Sequence, residues 1–103
     1  MKAAFLYVWE YVVPPENQRR FEQLYGSSGD WVRLFQRAPG YIRTELHRDR
    51  SEPHRFITFD YWESRSAWEA FRAQFADEYD VIDAKGAELA THEREVGRFE
   101  AVG

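Results

Sequence analysis

The chain has 103 residues, 17% of them aromatic, and 14 Lys+Arg against 18 Asp+Glu give a net charge of −4. That length predicts one domain over residues 1–103, small enough to gain from burying surface against a partner. The acidic balance and the lack of a basic run oppose nucleic-acid binding, and the absence of cysteine excludes disulfides, thiolate metal sites and cysteine nucleophiles.

Met1 to Phe5 lead straight into alternating aromatic and polar residues. Neither an apolar leader nor a membrane span is expected, and the cytoplasm is the default compartment. Residues 3–13 are aromatic and β-branched and read as a strand. Phe5, Tyr7, Trp9, Tyr11 and Val13 share one face, and Leu6, Val8, Glu10 and Val12 the other. A strand apolar on both faces is usually covered on both sides.

Pro14-Pro15 ends the strand and suits the first turn of a helix. Phe21, Leu24 and Tyr25 follow at helical spacing, until Gly26-Ser27-Ser28-Gly29 breaks the pattern. Asp30 then reads as the N-cap of a second short helix bearing Trp31, Leu34, Phe35 and Ala38, which Pro39-Gly40 stops. Residues 41–49 alternate as a strand, with Ile42, Thr44 and Leu46 opposite Tyr41, Arg43, Glu45 and His47. A turn at 50–53 leads into a third strand over 54–63. There Phe56, Thr58, Asp60 and Trp62 oppose Ile57, Phe59 and Tyr61, and the short gap predicts a hairpin.

The longest helix is expected to start at Ser64 or Ser66, with Ser66 and Glu69 fitting a capping box. Trp68, Phe71, Phe75, Tyr79 and Ile82 form its apolar stripe, with a bend near Gly86. Residues 93–101 make a weaker final strand. The order strand, helix, strand, strand, helix, strand is that of a ferredoxin-like βαββαβ fold of the α+β class. It predicts a four-stranded antiparallel sheet with helices on one face. The other face would be bare, so a homodimer packed sheet to sheet is expected.

Several stretches together resemble a known family. They are Trp9-Glu10-Tyr11 with Pro14-Pro15, then Phe21 to Gly26 leading to Gly29-Asp30-Trp31. Leu34-Phe35 before Ala38-Pro39-Gly40-Tyr41 and Thr44-Glu45-Leu46 continue the pattern. Asp60 to Ser64 followed by Trp68-Glu69-Ala70-Phe71 completes it. From about Phe5 to Glu100 the chain is similar to antibiotic biosynthesis monooxygenase domains, members of the dimeric α+β barrel superfamily. The resemblance implies oxygenation of electron-rich phenolic or polyketide-like aromatics without metal or flavin, in a cleft between sheet and helices. Such chemistry needs a base for the substrate's proton, donors for the developing oxyanion, and an apolar pocket that excludes water.

Asp60, His47 and Trp62 are the expected catalytic candidates. Asp60 lies mid-strand among rings, so it is either ion-paired with an Arg or functional. His47 is either acid–base machinery or an ordinary surface or interface histidine. The Trp62 indole N–H would seek a partner if buried. Trp9, Tyr11, Tyr25, Trp31, Trp68, Phe71 and Tyr79 are candidates to bind substrate, with Arg43 or Arg98 to hold an oxyanion. Each ring has an alternative place in the core or a subunit interface.

Other chemistries fare worse. The haem-degrading relatives use an Asn, a Trp and a His at places that align with Trp9, Phe71 and Val81, and residues 64–90 contain no His. No metal-ligand cluster, phosphate-binding loop or nucleophile elbow is present. A ligand-binding or structural dimer without chemistry, or an isomerase or cyclase on the same fold, are the competing expectations.

Overall fold

The computed structural model describes residues 4–102. Its strands are β1 (Phe5–Val12), β2 (Tyr41–Arg48), β3 (Arg55–Trp62) and β4 (His92–Glu100). They form one antiparallel sheet in the order β2-β3-β1-β4. The helices are α1 (Gln18–Tyr25), α2 (Asp30–Phe35), α3 (Arg65–Gln74) and α4 (Ala76–Ala87), with a 3₁₀ turn at Pro15–Asn17. This is the expected ferredoxin-like α+β fold, with each helical crossover divided in two.

The two-sided apolar pattern of residues 5–12 belongs to a central strand. β1 pairs with β3 on one side and β4 on the other, so its backbone donors and acceptors are satisfied along both edges. Phe5, Tyr7, Tyr11 and Val13 face the helices and join Phe21, Leu24, Trp31, Phe35 and Phe71 in the core. The opposite face carries Leu6, Val8 and Val12 beside Ile57, Phe59 and Tyr61 of β3. No helix covers that face. Glu10 lies there, 8% exposed, between Arg55 and Arg94.

Four local expectations change. Ser64, not Ser66, caps α3: its Oγ accepts the Ala67 N–H at 3.1 Å, and Glu69 instead lies 3.5 Å from Arg65. The long helix breaks at Phe75, whose backbone (φ −111°, ψ 29°) leaves the helical region where α3 ends and α4 begins. Asp30 is the first residue of α2 and Gly29 occupies the cap position. Finally, the pairing of β2 with β3 shifts register between Tyr41 and Arg43. That bulge moves Tyr41 onto the helix-covered face, since one extra residue inverts the alternation. Just before it, Gly40 takes φ +92°, a conformation that L side chains avoid, and any Cβ there would crowd Ala67.

Candidate functional site

The site is built around one carboxyl group. Asp60 sits in the middle of β3, opposite Tyr7 of β1 and Thr44 of β2. It points under the helices and is 8% exposed. Thr44 Oγ1 donates to its Oδ1 at 2.7 Å, and the Tyr41 hydroxyl donates to Thr44 Oγ1 at 2.9 Å. Oδ2 accepts no hydrogen bond from any described residue, and no described Arg or Lys pairs with the group. Burial pushes its pKa up to about 7, while the Thr44 hydrogen bond pulls weakly the other way. The carboxyl can therefore hold or accept a proton near neutral pH.

Around Asp60 the rings close a cavity. Tyr7 packs against Trp68 at 4.8 Å and edge-on against Trp9 at 5.9 Å. Tyr11 meets Tyr25 at 4.8 Å, and Trp31 meets Tyr79 at 4.8 Å, edge to face. All of these line the cavity, together with Phe35, Thr58 and Asp60. Its volume is about 40 Å³, room for a few waters. A drug-sized ligand occupies roughly 300 Å³ or more, so admission of one requires rings to move. Trp9 and Tyr79 are the only partly buried rings of the lining, and Asp83 and Glu93 are exposed at its edge.

Burial raises the Tyr11 and Tyr25 hydroxyls well above their ordinary range, and the Tyr79 hydroxyl to about 12. These groups stay protonated and can donate. The Tyr25 hydroxyl packs so closely on α4 that a Cβ at Gly86 would collide with it. The indole Nε1 of Trp31, a cavity wall, is buried without an acceptor. Asp83 and Glu93 complete the lining. Burial first, and then Asp83, raise the Glu93 carboxyl above its usual range.

The candidates divide clearly. Asp60, Trp9, Tyr11, Tyr25, Trp31, Trp68 and Tyr79 surround one cavity. Trp62 shares the Asp60 face but is fully buried behind it, against Tyr41, Phe35 and Phe71, with its indole N–H unpaired. Phe71 is core beside it. Arg43 and His47 lie on the opposite, uncovered face, where Arg43 stacks over Tyr61 at 3.9 Å and His47 approaches Glu45 at 3.2 Å. Arg98 sits over the Tyr7 and Trp68 rings at 5.3 and 4.8 Å and does not line the cavity.

Sequence reasoning missed Tyr7, Phe35, Thr44, Thr58, Asp83 and Glu93. Strand alternation already placed Tyr7 with Trp9 and Thr58 with Asp60 on one face, so that signal was available. Asp83 follows Tyr79 by four residues, one helical turn. Nothing local marked Glu93.

The model of the antibiotic biosynthesis monooxygenase family matches residues 5–76. No curated protein matches the sequence. Among solved structures, the chain is similar to SnoaB from Streptomyces nogalater, described as a cofactor-independent oxygenase. Identity is 21% and the TM-score 0.77, over 99% of this chain and 96% of that one. A conserved protein from Methanosarcina mazei Go1 aligns at 15% identity and a TM-score of 0.72, over 95% of this chain and 92% of that one. A protein from Mycobacterium tuberculosis aligns at 13% identity and a TM-score of 0.71, over 98% and 97%. At these identities the structural likeness concerns the fold.

Proposed function

The chain belongs to the antibiotic biosynthesis monooxygenase family, and on that premise we propose that it oxygenates an electron-rich aromatic small molecule without a metal or flavin. The observation that carries this reading is Asp60, a buried carboxyl in a ring-lined cavity with no cationic partner among the described residues, its pKa pushed up to about 7 by burial. Buried groups tuned in this way concentrate where proton transfer is needed.

In this reading Asp60 Oδ2 takes a proton from an activated CH₂ or phenol of the substrate. The resulting carbanion passes electrons to O₂, and the new C–O bond forms on the substrate. Loss of water leaves a carbonyl: one CH₂ and one O₂ become one C=O and one H₂O. The substrate is thus its own reductant and the electrons balance. Hydroxyls of Tyr7, Tyr11 and Tyr79 stay protonated and serve as donors to the developing oxyanion. Trp9, Tyr11, Tyr25, Trp31, Trp68 and Tyr79 bind the flat substrate and exclude water. Trp62 and Phe71 hold the β3 wall from behind. Oxygen-electrode measurement with hydroxylated anthrones and naphthols tests the reading. Oxygen uptake that depends on the substrate is expected, and uptake no faster than in buffer would sink the proposal.

The uncovered sheet face is assigned to a second copy of the chain, giving a homodimer. Its support is the apolar row Leu6, Val12, Ile57, Phe59 and Tyr61, with Phe99 46% exposed at the β4 edge. Arg43 and His47 then lie in the interface. Light scattering at micromolar concentration should give twice the chain mass; a monomer mass rejects the assignment. Among the described residues no helix is long and apolar enough to cross a membrane.

A further inference from the structure

The cavity lining has a pronounced charge bias. It holds three carboxyl groups, Asp60, Asp83 and Glu93, and no Arg, Lys or His. The lysine and arginine closest in sequence to the last two are engaged elsewhere: Lys85 lies 3.3 Å from Asp30, and Arg94 lies 2.6 Å from Glu10. At the inner end, Asp60 is 8% exposed as a residue, and its Oδ2 accepts no hydrogen bond from any described residue. The rings differ as well. Arg98 already covers Tyr7 and Trp68, and Arg72 covers Tyr79 at 3.7 Å. No guanidinium lies over Tyr11, Tyr25 or Trp31, the rings that share the cavity with Asp83 and Glu93.

Ring faces attract cations, and aromatic cages beside carboxylates recognise organic ammonium groups. At the end formed by Asp83 and Glu93, an anionic ligand would meet carboxyl groups and no cation in the lining. We propose that the cavity takes an aryl-alkyl ammonium compound, with its cationic nitrogen between Glu93 and Asp83 against Tyr11, Tyr25 and Trp31, and its flat body directed toward Asp60. This rests on the reading of the cavity as the substrate site and narrows the substrate class. It also supplies what the lining lacks: when Asp60 removes a proton, the ligand's own ammonium group offsets the negative charge that develops on the aromatic body.

Titration calorimetry, with NMR of ring-labelled tyrosine, tests this using three probes of one shape: 2-(aminomethyl)naphthalene, 2-naphthalenemethanol and 2-naphthoate. The amine should bind at least about tenfold tighter than the alcohol, with the carboxylate weakest. In the Glu93→Gln/Asp83→Asn double variant the amine-to-alcohol ratio should fall toward one. Added salt should weaken the amine selectively in the unmodified protein, a second readout independent of how the variant folds. If the alcohol or naphthoate binds as tightly as the amine, the cationic preference is wrong while the cavity remains a ligand site. If none of the three perturbs the cavity tyrosines at millimolar concentration, the cavity reading falls and this inference falls with it.

Discussion

Asp60 and Glu10 are the two buried carboxylates of the sheet centre, each 8% exposed, and they point to opposite faces. Glu10, on the uncovered face, receives Arg55 Nε at 2.8 Å and Arg94 Nη2 at 2.6 Å, and Asp49 backs Arg55 at 2.9 Å. Those bonds hold its pKa below the usual carboxylate range. Asp60, on the helix-covered face, has one hydroxyl for a partner, and burial raises it to about 7. Opposite titration follows from opposite surroundings: burial under the helices raises Asp60, and two guanidinium groups lower Glu10. One carboxylate is committed to structure by two guanidinium groups. The other keeps a free oxygen in a cavity.

The largest effect that tests this contrast is on turnover. Asp60→Asn keeps the shape and an acceptor for Thr44 but cannot take a proton. Oxygen uptake should drop by about 10²–10⁴-fold, with the far-ultraviolet circular dichroism unchanged. A variant retaining more than a tenth of the activity would assign the proton to another group. Glu10→Gln should leave turnover within a few-fold of the parent.

Stability should depend on pH through the same residue. Because the folded pKa of Asp60 lies above its unfolded value of 3.8, the native state binds more protons than the unfolded state between about pH 4 and pH 7. Stability is therefore highest below that window and declines as pH rises through it, by up to about 4 kcal/mol. Urea denaturation across this range should show that slope in the parent and its loss in Asp60→Asn. Glu10 has the opposite sign: its lowered pKa adds stability that is present above about pH 4.5 and lost on acidification.

Breaking the Glu10 network is the next largest change. Glu10→Gln should cost about 1–3 kcal/mol at pH 7. The value stays below that of a fully buried pair because the Arg94 side chain is 56% exposed and water screens it. Thermal melting measures it. An unchanged melting point would mean that the two arginines re-pair elsewhere.

How much of this contrast was legible in the sequence follows from its geometry. Strand alternation grouped Asp60 with Thr58 and Trp62, and Glu10 with Leu6 and Val8, because period two needs only local sequence; which group meets the helices depends on pairing register. The two apolar faces of residues 3–13 predicted cover on both sides, and the helices supply it on one. Tyr41 was placed on the wrong face because a bulge at Ile42 adds a residue, and the preceding Pro39-Gly40 was read only as the stop of the helix before it. The break at Phe75 was hidden inside an unbroken apolar stripe. Asp60 was read as ion-paired or functional, and composition could not choose, since 12 arginines were available. That choice depended on which arginines reach which face, a property of pairing register. The meeting of Asp83 with Glu93 depends on the turn between α4 and β4, beyond any periodicity.

The smallest predicted effect isolates the partner itself. Thr44→Val removes the one hydrogen bond to Asp60 and leaves the group as buried as before. Since that bond lowers the carboxyl's pKa, its loss should move the titration upward from about 7, by less than one unit for a hydrogen bond of about 1 kcal/mol. Carbon-13 NMR of labelled aspartate, followed from pH 4 to 9, reads the midpoint directly. The Tyr41 hydroxyl loses its acceptor in the same variant, so Tyr41→Phe is the control and should move the Asp60 midpoint less. A midpoint that stays fixed in Thr44→Val would mean that burial alone sets the carboxyl. The contrast with Glu10 would then rest on the burial of Asp60 and on the two arginines, and not at all on the hydroxyl of β2.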